Sequence, residues 1–237
     1  NTETEHGFQL TSCSCPIWIS MIRKDFQNIA GHLPASVSPM IACGRIVKEL
    51  HEGCKTIFVG PCMAKKAEIR EPGLEGAIDC VLTFEELQDI WEALDLDFSA
   101  MPEDENEHSA AAGRMYARTG GVSRAVSECV QSINKDKVLH PVCACGVPDC
   151  KTMLQDVLEG NVKGNFFEGM ACEGGCVGGP KGNLDKDKAT EYVDHYVEKA
   201  AYRTPGENPY AIDLIQRLGY ETVEDFVKNS EILTREV

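Results

Sequence analysis

Four cysteines stand at turns rich in Gly and Pro, where they could bind a metal centre. Cys15 lies in "TSCSCPIW", Cys62 in "GPCMAKKAE", and Cys172 and Cys176 in "MACEGGCVGGP". Small residues at such turns let a bulky ligand approach the backbone, and the freed N–H groups can donate to inorganic sulfide or to anions. By number alone, four thiolates suit a zinc ion or a 4Fe-4S cluster equally well.

The spacing of these cysteines favours the cluster. Structural zinc sites usually take their ligands from paired C-x2-C knuckles. Here Cys15 and Cys62 are isolated, and only Cys172 and Cys176 form a pair, with three residues between them. Zinc remains the second hypothesis, and a fold in which the four cysteines do not meet is the third.

A second group of cysteines lies in "CACGVPDC" and comprises Cys143, Cys145 and Cys150. This spacing is compatible with an accessory metal. The favoured interpretation is that they are partly buried thiols or, in an oxidised sample, a disulfide. Four further cysteines with apolar neighbours are predicted to be buried, because free Cys packs like a small hydrophobe; these are Cys43, Cys54, Cys80 and Cys129.

The composition excludes several classes of function. A formal net charge of −15 at pH 7 argues against nucleic-acid binding, which relies on clustered Lys and Arg. No apolar run approaches the roughly 20 residues that span a bilayer, and no secretory signal is visible, so we expect a cytoplasmic protein that is not membrane-embedded. In a reducing cytoplasm, twelve cysteines indicate metal or cluster binding rather than a disulfide scaffold.

The elements that must position the cysteines alternate between strands and helices. The ranges 55–60, 78–82, 136–144 and 164–172 are predicted strands, and 17–33, 38–50, 61–70, 83–94, 120–133 and 148–160 are predicted helices, followed by a helical tail and a last helix over 222–233. This order predicts an α/β fold with mostly parallel sheets flanked by helices. The later cysteine motifs fall beyond the carboxyl ends of strands, where such sheets bind ligands.

The three cysteine segments resemble, in chain order, the signature motifs of the FeFe-hydrogenase catalytic domain, usually written TSCCPxW, MPCxxKxxE and MACxGGCxxGG. The segments "SPMIACGRIVKEL", "IDCVLTFEEL", "TGGVSRAV" and "NFFEGMAC" also resemble the family, so the match covers most of the chain. In that family a 4Fe-4S cluster is bridged through one thiolate to a diiron centre with CO, cyanide and a dithiolate, which makes or splits dihydrogen.

The resemblance implies a role for each motif residue. Cys15, Cys62 and Cys172 would hold the cubane, and Cys176 would bridge both metal units. Lys65 would donate a charge-assisted hydrogen bond to a cyanide ligand, and Glu68 would be a relay carboxylate; an exposed helix lysine is the alternative for Lys65. The resemblance places the remaining pocket residues around the diiron unit: Met170, Gly120, Gly121, Gly60, Pro61 and Met40.

The departures from the family pattern concern the proton path. Ser14 stands where the family has the thiol that shuttles protons, and Cys13 lies one residue away. A serine hydroxyl is a far weaker acid than a thiol with a pKa of about 8.5, so proton exchange should be slow. Pro34 replaces a relay hydroxyl, and Gly60 replaces a methionine. This pattern resembles the sensory branch of the family, in which a slow centre reports hydrogen to a signalling partner.

The resemblance also implies an organisation and partners. Residues 1–237 would be the C-terminal portion of the catalytic domain, with two lobes around a cluster-binding cleft and a boundary near 100–110. The upstream part would supply one wall of the diiron pocket, so we expect the chain as given to lack the diiron unit. An electron-transfer partner or a ferredoxin-like module, and a signalling domain, are the implied partners. A non-catalytic protein like the iron–sulfur assembly factors is the alternative function.

Overall fold

The computed structural model describes residues 7–11, 14–102 and 108–235 and has an α/β architecture. Its strands are β1 (Gln9–Leu10), β2 (Ile57–Val59), β3 (Cys80–Leu82), β4 (Pro141–Cys145) and β5 (Phe166–Met170). One sheet has the order β1-β5-β4 and the other pairs β2 with β3; both are parallel. The predicted fold class is therefore confirmed.

The helices lie between and after the strands. They are α1 (Pro16–Asp25), α2 (Pro39–Leu50), α3 (Lys65–Glu68), α4 (Phe84–Ala93), α5 (Ala111–Arg114), α6 (Gly121–Ile133), α7 (Val147–Glu159), α8 (Lys186–Glu198), α9 (Pro209–Arg217) and α10 (Val223–Asn229). No helix in the described part of the chain has the length and hydrophobicity that a bilayer crossing demands.

The side chains of the central strand β5 point alternately to the two faces of the sheet, and they meet α1 on one face and α6 on the other. Trp18 of α1 packs against Gly169, where an added Cβ would lie 2.1 Å from the indole ring. The neighbouring residue Glu168 points the other way and accepts hydrogen bonds from the first turn of α6. The main hydrophobic cluster fills the space between the sheet, α1 and α7, and its largest members are Leu10, Trp18, Ile22, Leu154 and Phe167.

The second sheet has its own core and is covered by the C-terminal segment. Residues of α2 pack against residues 74–81, with Met40, Ile41 and Leu74 among the buried side chains. The guanidinium of Arg45 donates to the carbonyl oxygens of Glu231, Ile232 and Thr234 at 3.1, 2.9 and 2.7 Å. A single α2 side chain thus holds residues 231–234 against this helix.

Several helix termini have capping residues that can be recognised in the sequence. Ser38 caps α2, and Thr83 and Glu86 form the capping box of α4. Gly160 ends α7 in the left-handed conformation, with φ of 72°. Each of these signals acts within one or two turns of chain, so each can be recognised without knowledge of the tertiary structure.

Two predictions were wrong. The helix predicted over 17–33 ends at Asp25, because Phe26 is non-helical and packs against the main cluster; a 3₁₀ helix follows over Gln27–His32. Of the four lone cysteines predicted to be buried, Cys43 and Cys80 are exposed and Cys54 and Cys129 are half-buried. Both differences arise from packing between distant segments, which apolar neighbours in the sequence do not reveal.

Replacing Gly169 tests the packing of α1 on β5. In the Gly169→Ala variant the new methyl group would overlap the Trp18 ring, so we expect a loss of about 1–3 kcal/mol in unfolding free energy. Urea denaturation followed by tryptophan fluorescence measures it. Gly31→Ala is the control, because a Cβ there meets no atom within 4 Å. Equal stability of both variants would contradict the packing.

Candidate metal centre

The four motif cysteines all lie at the ends of regular elements. Cys15 is the residue before α1, in the loop after β1, and Cys62 lies in the turn between β2 and α3. Cys172 follows β5, and Cys176 begins a short 3₁₀ helix, Cys176–Gly178. Because β1 and β5 are parallel neighbours, their carboxyl ends deliver Cys15 and Cys172 to the same edge of the sheet.

The loops that carry Cys62 and Cys176 are in direct contact. A Cβ on Gly179 would lie 2.7 Å from the carbonyl oxygen of Pro61, so only glycine fits this approach. The N–H of Lys181 donates to the same oxygen at 3.2 Å. These contacts bring the second and third cysteine motifs together although about 110 residues separate them.

The thiols influence one another's ionisation. Burial raises the pKa of Cys176 to about 12, and the charges of Cys15, Cys62 and Cys172 contribute to the rise, whereas Lys65 opposes it. Burial, then Cys15 and Cys62, likewise raises the pKa of Cys172. Ionisation of the neighbouring thiols thus disfavours ionisation of Cys172 and Cys176.

This donor set fits an iron–sulfur cluster better than zinc. Zinc requires its ligands within about 2.3 Å of one point. In the ranges that the structure describes, no three His, Cys, Asp or Glu side chains are arranged to hold a single ion. A cubane has four separate iron corners and takes thiolates as ligands, so its thiols need not converge on one point.

A buried ion pair lies beside the cysteines. The Lys65 ammonium donates to a Glu68 carboxylate oxygen at 2.6 Å, and the two side chains are only 7% and 2% exposed. The alternative that Lys65 is an exposed helix lysine is therefore wrong. Both residues lie on α3, within two turns of Cys62, so the short helix positions a charge pair next to a thiol.

The turn before α6 is held by a carboxylate that the sequence analysis did not single out. Buried Glu168 accepts hydrogen bonds from the N–H groups of Gly120 and Ser123 at 2.8 and 2.7 Å. The N–H of Gly121 donates to the carbonyl oxygen of Arg118. The two glycine N–H groups expected to line the pocket are thus engaged within the protein. The sequence signal that could have identified Glu168 is its position as a charged residue inside the apolar run "NFFEGM".

The other predicted pocket residues have varied surroundings. Met170 is buried, and its carbonyl oxygen accepts from the N–H of Gly146 at 2.8 Å. Met40 is buried in the second hydrophobic cluster. Gly60 lies against the Phe58 ring, where a Cβ would approach to 2.9 Å.

The residues proposed for proton transfer are only partly described. Ser14 is half-buried and immediately precedes Cys15 in the loop after β1. Trp18 donates from its indole N–H to the carbonyl oxygen of Thr11 at 2.9 Å, which ties the strand end to α1. Cys13 lies outside the described residues.

The three accessory cysteines are free thiols. Cys150 is buried and contacts the carbonyl oxygen of Met170 at 3.4 Å, and burial raises its pKa to about 12. Cys143 is exposed and contacts the Ser123 hydroxyl at 3.5 Å. The interpretation as partly buried thiols suits Cys150 and Cys145, and no disulfide joins any two described cysteines.

Comparison with known proteins decides the family. The family model described as iron-only hydrogenase large subunit, C-terminal domain, matches residues 1–180. The chain belongs to this family. The solved FeFe-hydrogenase HydA(deltaEFG) superimposes with a TM-score of 0.73 over 96% of this chain and 75% of its own, at 20% identity, so it shows a shared fold.

Curated relatives of this hydrogenase-family chain carry different names. It is 26% identical to the NADP-reducing hydrogenase subunit HndD of Solidesulfovibrio fructosivorans over 88% of the chain and 43% of that protein. It is 25% identical to the nuclear prelamin A recognition factor of Xenopus laevis over 97% of the chain and 60% of that protein. It is 29% identical to a cytosolic Fe-S cluster assembly factor of Yarrowia lipolytica over 39% of the chain and 22% of that protein. The chain spans about half the length of the first two.

Breaking the buried ion pair between Lys65 and Glu68 should lower the free energy of unfolding. Lys65→Met would leave Glu68 charged and unpaired in the interior, so we expect a loss of about 3–5 kcal/mol in unfolding free energy. Chemical denaturation of the cluster-free protein measures it. The matched double variant, Lys65→Met with Glu68→Leu, should recover most of the loss, since it removes both charges. A double variant as unstable as the single one would show that the pair is not the cause.

Proposed function

We propose that Cys15, Cys62, Cys172 and Cys176 hold a 4Fe-4S cluster and that this domain catalyses slow, reversible conversion of protons and electrons to dihydrogen. The observation that carries the proposal is the parallel pairing of β1 with β5, which brings Cys15 and Cys172 to one edge of the sheet. The contact of the Pro61 and Gly179 loops supports it, because it joins two of the three segments.

The chain's own residues have defined tasks in this proposal. The glycine turns around the cysteines let the backbone approach a bulky ligand. Cys176, which is half-buried like the other three thiols, would also bridge to a diiron unit with CO, cyanide and dithiolate ligands. When bound, that unit supplies the redox-active metal at which dihydrogen is formed or split. Met170, buried at the end of β5, would present an apolar thioether to it.

Lys65 and Glu68 would provide charge and proton transfer at this site. Their separation of 2.6 Å places a cationic donor and a carboxylate acceptor in one dry environment. In such surroundings a hydrogen bond from an ammonium to an anionic ligand is strengthened, since water does not screen it. Lys65 would supply the cationic donor to an anionic ligand of the bound unit, and the Glu68 carboxylate would accept a proton.

Ser14 sets the rate in this proposal. Its hydroxyl stands where a thiol would exchange protons, and it cannot ionise readily near neutral pH. Slow turnover suits a hydrogen sensor whose output passes through a signalling partner. We also propose an electron-transfer partner or a ferredoxin-like module, and a cytoplasmic location, where the many free thiols stay reduced.

A non-catalytic iron–sulfur role is the second candidate. The similarity to a cytosolic Fe-S cluster assembly factor favours it. So does the engagement of the Gly120 N–H by Glu168, since a catalytic pocket would offer that donor to a ligand. Infrared spectroscopy after maturation separates the candidates, because CO and cyanide bands are expected only for the hydrogenase.

Anaerobic reconstitution tests the cluster. We expect about four iron and four sulfide per chain and the electron paramagnetic resonance signal of a reduced 4Fe-4S cluster. Cys62→Ser and Cys172→Ser should each reduce the iron content to roughly half or less, because iron–sulfur clusters are held by Cys thiolates and each variant removes one of the four. Cys80→Ser, at an exposed thiol, is the control and should load fully. Full loading of both motif variants would refute the ligand assignment.

Restoring a thiol at residue 14 tests the proposed proton path. In the matured protein, Ser14→Cys should raise the rate of hydrogen evolution roughly 10- to 100-fold, since a general acid with a better matched pKa accelerates proton transfer. A gas-chromatographic assay measures the rate. Ser20→Cys, on α1, is the matched control and should leave it unchanged. An unchanged rate in Ser14→Cys would show that the hydroxyl does not limit turnover.

A further inference from the structure

An apolar cavity lies beside the third cysteine loop. Its volume is about 330 Å³, and its walls include Pro61, Phe84, Ala117, Cys176, Leu184 and Val193. We propose that this cavity is a binding site for a small, neutral, apolar molecule, of the size of one or two aromatic rings. The proposal does not depend on the hydrogen chemistry proposed above.

The cavity is built by segments from distant parts of the chain. Pro61 comes from the second cysteine loop, Phe84 from the start of α4 and Ala117 from the turn before α6. The opposite wall comes from the 182–184 turn and from Ala189 and Val193 of α8. That wall follows residue 180, where the family match ends. The cavity therefore combines the family domain with a helix that the family model does not include.

The charge distribution around the cavity favours a neutral occupant. No Asp, Glu, Lys, Arg or His of the described ranges lines it. The charged residues beside it already have partners: Lys181 donates to Glu85 at 2.6 Å, and Arg118 forms an ion pair with Asp194. A charged ligand would lose its hydration without gaining a counter-charge, whereas an apolar ligand loses only unfavourable hydration.

The size of the cavity favours a small molecule. Protein interiors contain few voids larger than a water molecule. Apolar cavities of roughly 150 Å³ stay dry and bind benzene or xenon, and small-molecule sites begin near 300 Å³. The cavity, at about 330 Å³, lies at the lower end of the range of small-molecule sites. A partner helix would need a longer open groove, but the Lys181–Glu85 contact joins the 181–184 turn to α4 beside the cavity.

The side-chain amide of Asn183 makes a second polar contact between the 181–184 turn and α4. Its nitrogen donates to the side-chain oxygen of Gln88 at 3.2 Å, and Asn183 is itself one of the lining residues. The 181–184 turn is thus fixed to α4 at two points. We infer that the cavity keeps its shape without a ligand, so binding requires little reorganisation of the protein.

Ligand-induced thermal stabilisation of the full chain, before cluster reconstitution, tests the site. The probes are indole and p-xylene, and benzoate is the charged control. We expect saturable stabilisation by both neutral probes, with dissociation constants of about 1 mM or below, and none by benzoate. The absence of saturable stabilisation by either neutral probe would overturn the proposal. Because the sample contains no cluster, failure here is distinct from failure of the hydrogenase proposal.

Filling the cavity identifies the binding position. Ala189→Leu places a larger side chain on the α8 wall and should weaken indole binding at least tenfold. Ala211→Leu makes the same change on α9, away from the cavity, and should bind like the parent chain. Val193→Phe provides a second filling variant if Ala189→Leu does not fold, which circular dichroism reveals. Undiminished binding by a folded filling variant would place the probe elsewhere and overturn the assignment.

Discussion

The close approach of backbone segments that are distant in sequence is the constraint on which this structure depends. Thiols from three loops can share one environment only if no side chains hold the loops apart. At Gly179 and Gly175 an added Cβ would lie 2.7 Å from the Pro61 carbonyl oxygen and 2.6 Å from the Thr119 nitrogen. Glycine therefore permits these contacts because it has no Cβ, although it loses more conformational entropy on folding than other residues do.

Compensation of buried charge is the second requirement. Lys65 and Glu68 neutralise each other, and Glu168 is neutralised by N–H groups at the positive end of α6. Either carboxylate alone in this interior would be costly. Apolar residues would stabilise a purely structural core more simply. The buried Lys65–Glu68 pair and the buried Glu168, both near the thiols, are therefore typical of a functional centre. Strand β5 links the two features, since it carries Glu168 and leads into the third cysteine loop.

The residues beyond the family-matched part complete the domain. Arg114 donates to the carbonyl oxygen of Tyr196 at 2.8 Å and stacks 3.9 Å from the centre of its ring, which fixes α8. Arg45 fixes residues 231–234 across α2. Two arginines that reach backbone carbonyls thus attach C-terminal segments to α5 and α2. The apolar cavity exists because α8 is held at this distance from the cysteine loops.

The sequence by itself determined the features that depend on short stretches of chain. The caps at Ser38 and Thr83, the order of strands and helices, and the three motifs that indicate the family all act locally. Only the tertiary structure decided the burial of Lys65, the use of the Gly120 N–H by Glu168, the break at Phe26 and the exposure of Cys43. Each of these depends on contacts between segments far apart in sequence, and neither hydrophobic periodicity nor motif spacing specifies such contacts.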